Sequence, residues 1–188
     1  MKIVRGGYFE FLTGGHNASG VGQSPLDVEA ARKIIEARQD DVAAFGISSM
    51  FAVRNPEHEI ALQDLVRSVS DKPVTCGHEL ASRLDAPRRA LTVAFNASLI
   101  PYIDELIRAI ESILESRQIR APLMMVKGDG SLISASAALQ RPVETILSGP
   151  AASVMGAAQI SRHDNAIIAD MGGTTTDISI VTDGRPII

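Results

Sequence analysis

A chain of 188 residues with 45% hydrophobic and 21% charged positions has a globular composition, long enough for one domain and the start of another. Its 18 Lys plus Arg against 22 Asp plus Glu leave a net charge of −4, so there is no basic footprint for nucleic acid or an anionic membrane surface. One cysteine, Cys76, excludes an internal disulfide, no Cys/His cluster has zinc spacing, and the absence of Trp argues against a platform of stacked rings for bases or sugars.

The opening M-K-I-V-R-G-G-Y-F-E is basic but has no apolar core of signal-peptide length behind it. No run approaches the ~18 apolar residues of a membrane span, so the expected compartment is the cytoplasm. Residues 1–25 mix glycines (Gly6, Gly7, Gly14, Gly15, Gly20, Gly22) with short apolar runs, which predicts an irregular β start. Ser24-Pro25-Leu26-Asp27 opens a helix in which Val28, Ala31, Ile34 and Ile35 share one face up to about Arg38. Val42–Ile47 reads as a strand buried on both faces. Asn55-Pro56-Glu57 sets a cap residue, a proline and an acid in helical order and predicts a helix to about Ser70. A strand at Pro73–Cys76 completes a β-α-β rhythm. The strongest helical pattern runs from Arg88 to Ser116, with a break before Pro101. Leu99, Ile103, Leu106, Ile107, Ile110, Ile113 and Leu114 form an apolar stripe expected to pack on a sheet. Further on, Pro122–Val126 reads as a strand, Lys127-Gly128-Asp129-Gly130 as its exit turn, Ser134–Gln140 as a short helix and Val143–Leu147 as another strand. The alternation indicates an α/β fold with a mainly parallel sheet.

The last forty residues carry the chemistry. Ala166-Ile167-Ile168-Ala169 is an apolar strand, followed by Asp170-Met171-Gly172-Gly173-Thr174-Thr175-Thr176-Asp177 and a second strand, Ile178-Ser179-Ile180-Val181. Adjacent glycines permit positive φ and remove side chains, so main-chain N–H groups can approach a phosphate, and threonine hydroxyls can donate to its oxygens. Asp170, at the exit of a buried strand, is placed to hold Mg²⁺ through water. A bare Gly-Gly pair between strands is ordinary hairpin chemistry. Two acids bracketing two glycines and three threonines exceed what a turn needs, and the octet points to nucleotide handling. It is not a P-loop, because no G-x-x-x-x-G-K-[ST] occurs and a strand follows.

D-M-G-G-T-T-T-D resembles a phosphate-binding turn of the actin, sugar kinase and heat-shock ATPase superfamily. Ser148–Ala158, S-G-P-A-A-S-V-M-G-A-A, resembles the helix that crosses between the two lobes of that fold. With R-P-V-E-T-I-L-S-G-P-A-A at Arg141–Ala152, these motifs are similar to the hydantoinase A and 5-oxoprolinase family, which includes ATP-dependent hydantoinases, 5-oxoprolinases and acetone carboxylase subunits. The likeness extends upstream through Asn55–Glu59, His78–Ala81 and Gly128–Gly130. It implies a partial actin-like (ribonuclease H-like) ATPase fold. Residues 1–147 would be the later part of the first lobe, and 148–188 the crossing helix and phosphate hairpin of the second. Family members also open with a D-x-G-G-T-F-T-D turn, which is not matched here, and continue for hundreds of residues. The resemblance therefore implies a piece of a larger polypeptide that lacks turnover in isolation.

The implied activity is ATP-dependent opening of a cyclic amide, with a hydantoinase B-type partner subunit. Gly172, Gly173, Thr174 and Thr175 would hold phosphate, Asp170 would hold Mg²⁺, and Asp177 would order the turn by accepting hydrogen bonds. An acetone carboxylase-type subunit, another actin-like ATPase or kinase, and a non-catalytic packing domain are the competing readings. Elsewhere, Glu57, His58 and Glu59 lack H-E-x-x-H spacing and read as a solvated first helical turn. Lys127 and Asp129 read as turn residues, Cys76 as a small buried thiol, His16 as a loop histidine that could face a substrate, and Ser148-Gly149-Pro150 as a helix start.

Overall fold

A computed structural model describes residues 7–186. It divides into two compact units, Met1–Glu105 and Leu106–Ile188. Part of the predicted β start, including Gly6, lies outside the described residues. From Gly7 to Leu26 the chain is irregular, with one antiparallel bridge, His16↔Gly22.

In the first unit, helix α1 (Val28–Arg38) is capped by Asp27, whose side chain accepts from the amide of Ala30 at 2.9 Å. Strand β1 (Phe45–Ile47) is shorter than predicted. Helix α2 (Glu57–Val69) starts where Asn55 Oδ1 accepts the Glu57 amide at 3.0 Å. Strand β2 (Val74–Cys76) lies parallel to β1 in the register Phe45↔Val74, Gly46↔Thr75, Ile47↔Cys76. The predicted β-α-β unit is therefore present. Its core is Ala31 and Ile35 from α1 with Leu65 and Val66 from α2, flanked by Phe45, Ile47 and Val74 of the strands. Each of the larger aliphatic side chains contributes about 1.5–3 kcal/mol when fully buried.

Cys76 leads directly into a single-turn helix, α3 (Gly77–Leu80), and then into α4 (Ala86–Ser116). The predicted break before Pro101 is absent: the proline lies inside a continuous helix of 31 residues. Proline removes one amide from the helical ladder, and here the surrounding turns carry the helix through it. The packing of α4 also differs from the expectation. Its early turns meet the sheet: a Cβ on Gly46 would stand 2.7 Å from Val93 Cγ1, and buried Asn96 donates to buried Thr75 Oγ1 at 3.0 Å. On the predicted stripe Ile107 is buried, but Leu106 and Ile113 are exposed. Contrary to the sequence reading, α4 is long and apolar enough to cross a membrane, with an 18-residue window of mean hydropathy 1.2. Its early turns are packed by the buried polar pair with Thr75 and by Val93 over Gly46, while 22% of that window is buried.

In the second unit, β3 (Met124–Val126) forms an antiparallel hairpin with β4 (Leu132–Ser134), an element that the sequence reading did not predict. The turn between them is as predicted. Asp129 accepts from the amide and hydroxyl of Ser131 at 2.9 and 2.6 Å, and Gly130 takes φ +80°. Ser134 caps α5 (Ala135–Gln140). The predicted strand at Val143–Leu147 is instead a 3₁₀ turn, Pro142–Thr145, because Pro142 pre-sets a helical φ and Thr145 Oγ1 donates back to its carbonyl at 2.7 Å. Helix α6 (Ser148–Ser161) follows, entered from Leu147 at φ +63°. Strands β5 (Ala166–Met171), β6 (Thr176–Thr182) and β7 (Arg185–Pro186) close the unit as an antiparallel sheet. Among the described residues only β1–β2 pairs in parallel, which corrects the expected mainly parallel sheet. The fold is mixed α/β.

Candidate functional site

The β5–β6 hairpin places the two acids of the octet directly opposite each other, Asp170↔Asp177, with Met171↔Thr176 closing the ladder. Cross-strand partners share a face, and like charges so placed repel unless a cation or water lies between them. That face also carries Ala166, Ile168, Ser179 and Val181, of which Val181 is 1% exposed, and α6 packs against both strands. The opposite face carries Ile167, Met171, Ile178 and Ile180, all exposed. Asp170 therefore leaves a strand with one open face, not a strand buried on both sides.

The turn is the four residues Gly172–Thr175, closed by one hydrogen bond from the Gly172 amide to the Thr175 carbonyl at 2.9 Å. Among the described residues the amides of Gly173, Thr174 and Thr175 donate to nothing, and all four turn residues are exposed. Neither glycine has positive φ, so their use here is the missing side chain. A Cβ on Gly173 would meet nothing within 4 Å, and one on Gly172 would meet only the Thr175 carbonyl, at 3.4 Å. The bonds expected from Asp177 to the turn do not form. Its carboxylate, like that of Asp170, has no partner among the described residues. The arrangement is an open row of main-chain donors with two free carboxylates at its base. It can take an anion on the amides and a hydrated cation on the acids.

A second polar cluster lies at the carboxyl ends of β1 and β2, and the sequence reading missed it. Glu59, taken as part of a solvated first turn, is fully buried. Its carboxylate accepts the amides of Ser49 (2.6 Å) and His78 (2.8 Å) and the Nδ1 of His78 (2.8 Å). Burial there follows from the helical period, which turns the third residue of α2 toward the strand ends while Glu57 faces solvent. Cys76 is buried as expected, its thiol donating to the Glu59 carbonyl at 3.7 Å. Burial, then the carboxylates of Glu79 and Glu59, push that thiol up to about 12. Nearby Arg89 is 2% exposed, donating to the carbonyls of Arg83 (2.6 Å) and Ser49 (2.8 Å). The signal that could have found this cluster is positional: residues just past the ends of two parallel strands gather at one edge.

Of the remaining candidates, His16 is buried rather than facing a loop surface, and its ring lies 4.3 Å from that of His58. The Nδ1 of His58 accepts the Gly15 amide at 3.0 Å, which ties the opening segment to α2. Lys127 bridges Asp129 and Glu144, each at 3.2 Å, as turn residues do.

Comparison with known proteins matches two stretches of the chain to family models. Residues 89–188 match the family described as hydantoinase/oxoprolinase, and 7–70 match the hydantoinase/oxoprolinase N-terminal region. The chain is 32% identical over 167 residues to caprolactamase subunit alpha of Pseudomonas jessenii, covering 86% of this chain and 24% of that one. It is 26% identical to the 5-oxoprolinase of Saccharomyces cerevisiae (85% and 12% covered) and 28% identical to the acetone carboxylase beta subunit of Xanthobacter autotrophicus (84% and 22%). The crystal structure of the ATP-dependent caprolactamase from Pseudomonas jessenii superposes with a TM-score of 0.81 at 33% identity, over 90% of this chain and 25% of that one. The chain thus spans about a quarter or less of the length of these relatives.

Proposed function

Because the chain belongs to the hydantoinase/oxoprolinase family, we propose that it forms part of an ATP-dependent enzyme that opens cyclic amides, and that its 170–177 turn grips the nucleotide phosphates. The observation that carries this reading is the row of three unbonded amides, Gly173–Thr175, above the facing pair Asp170 and Asp177. Hydrogen-bond donors held in place before a ligand arrives need no reorganisation to bind anionic oxygens. The hydroxyls of Thr174 and Thr175 would add donors. Asp170 would hold Mg²⁺ through water, with Asp177 opposite supplying the second negative charge. The nucleotide supplies the phosphoryl group that turns an amide oxygen into a leaving group, so that water can attack the carbon. Relatives named as caprolactamase and 5-oxoprolinase support a lactam as the substrate class.

In this reading residues 1–147 contribute to a first lobe, and α6 with the hairpin begins the second. A hydantoinase B-type partner is supported by relatives that are named as subunits. The beta subunit of acetone carboxylase among them supports a second reading, in which phosphorylation serves a carboxylation.

Calorimetric titration with Mg-ATP is the test. Saturable binding that needs magnesium is expected, weakened at least tenfold by Asp170→Ala, a loss of about 1.4 kcal/mol. A folded chain that binds nothing at millimolar nucleotide would refute the reading. For the full-length polypeptide with its partner, phosphate release that depends on 5-oxoproline or a hydantoin marks the amide hydrolase, and release that depends on acetone marks the carboxylase.

A further inference from the structure

We propose that His78, oriented by buried Glu59, is a general base that takes a proton from water attacking a carbonyl carbon at the carboxyl edge of β1 and β2. This site goes beyond the nucleotide turn and does not depend on it.

The imidazole is held at one nitrogen only. Glu59 receives two main-chain amides as well as His78 Nδ1, and a carboxylate is acceptor-only, so the proton between them belongs to Nδ1. That fixes the tautomer and leaves the lone pair on Nε2. Among the described residues Nε2 has no partner, and the His78 side chain keeps 20% of its surface open. A buried carboxylate, an imidazole fixed through Nδ1 and an open Nε2 are the base and orienting group of a hydrolytic site. When Nε2 takes the proton, the imidazolium is stabilised by the Glu59 charge 2.8 Å away.

The surroundings supply a second observation. The main chain on either side of Ser49 links the dyad to Arg89: the Ser49 amide donates to Glu59, and the Ser49 carbonyl accepts from Arg89. Arg89 Nε and Ser49 Oγ are both buried and unpaired, and Arg89 has no carboxylate partner among the described residues. A buried cation and a buried hydroxyl, each with spare hydrogen-bonding capacity, give the dyad a polar rather than an apolar surrounding. The other charged or titratable groups there are the Cys76 thiol, which donates to the Glu59 carbonyl, Asp64 and Arg67, which act on that thiol, and Glu79, held by Gln63 Nε2 at 3.2 Å and by the Cys76 amide at 3.4 Å.

A metal site built from Glu59, Cys76 and His78 is the rival, since one ligand atom from each lies within 4.8 Å of the others. The hydrogen bonds argue against it. Nδ1 spends its proton on Glu59, the thiol donates to a carbonyl, and both carboxylate oxygens already accept.

The probe is p-nitrophenyl acetate, which needs no nucleotide, so a failure here is separate from a failure of the ATP reading. Water adds to the acetyl carbon as its proton passes to Nε2. The carbon–oxygen bond to p-nitrophenolate then breaks, and the imidazolium returns the proton to solvent. The full chain is expected to hydrolyse the ester above buffer, with His78→Gln lowering the rate at least fivefold. Nitrogen-15 spectra should show the Nδ1–H tautomer at neutral pH. Glu59→Gln, where it folds, should move the tautomer and the pH profile together. An unchanged rate in His78→Gln, an Nε2–H tautomer in the parent chain, or stoichiometric zinc binding lost in Cys76→Ala would each overturn the proposal.

Discussion

The strand ends of the first unit and the hairpin of the second both gather acids and main-chain amides, but they use them in opposite ways. Around Glu59 three donors converge on one fully buried carboxylate. Around Asp170 two carboxylates and three amides stand exposed and unspent. In a dry interior an unmade hydrogen bond costs about 1–3 kcal/mol, so the Glu59 carboxylate is consumed by the fold, although Arg89 Nε and Ser49 Oγ nearby stay unpaired. At a wet surface water satisfies them at little cost, and they remain available to a ligand. The first arrangement is bound up with stability. The second can be altered with little effect on folding.

Glu59→Ala is the most direct way to break that contrast. It strands two buried amides and the His78 ring, and is expected to cost about 3–5 kcal/mol, read from urea unfolding. A loss under about 1 kcal/mol would mean that the network is ornamental. Next in size is Gly128→Ala, because a Cβ there would stand 2.5 Å from the Ile146 carbonyl oxygen, which is backbone and cannot swing aside. A cost of about 1–3 kcal/mol is expected by the same measurement.

Alkaline pH probes the buried cluster through Cys76. Its thiol is raised in the folded state from 9.0 to about 12. Above pH 9 the unfolded chain loses that proton while the folded one keeps it. Stability is therefore unaffected below pH 9 and falls as pH rises toward 12, by up to about 1.4 kcal/mol per pH unit. Cys76→Ala should remove that part of the slope. Acid acts on the other unit. The hydroxyl and amide of Ser131, with Lys127, hold the Asp129 carboxyl down at about 2, so its contribution is full above the ordinary carboxylate range and is lost as pH falls through 2. The smallest effect on folding belongs to the hairpin. Asp170→Ala and Thr174→Ala should change stability by no more than about 0.5 kcal/mol while Asp170→Ala weakens nucleotide binding. A large destabilisation would show that the turn is structural after all.

The sequence made the elements with strong local grammar legible. Asp27 before an apolar periodicity, Asn55-Pro56-Glu57, and an apolar run leading into Gly-Gly-Thr-Thr each state a boundary in a few residues, and each lies where it was read. What was not legible depended on partners distant in the chain. Leu132–Ser134 becomes a strand only because Met124–Val126 pairs with it, and three residues carry no period of their own. Val143–Leu147 has the composition of a strand, but Pro142 and the Thr145 side chain bend it into a helical turn. Glu59 looked solvated because an acid in a first helical turn normally is. Only the return of β2 beside β1 brings the His78 amide and ring to it. The octet itself was readable, whereas the direct opposition of Asp170 and Asp177 needed the register of the hairpin.

The open side of that hairpin governs how the molecule behaves in the tube. Ile167, Met171, Ile178 and Ile180 point away from α6 and stay 50–77% in contact with water. Such a greasy panel binds dyes and detergents, and as concentration rises it drives chains together. Replacing Ile167 and Ile178 by threonine, which keeps the β-branch, should raise the usable concentration without disturbing the amides a few residues away.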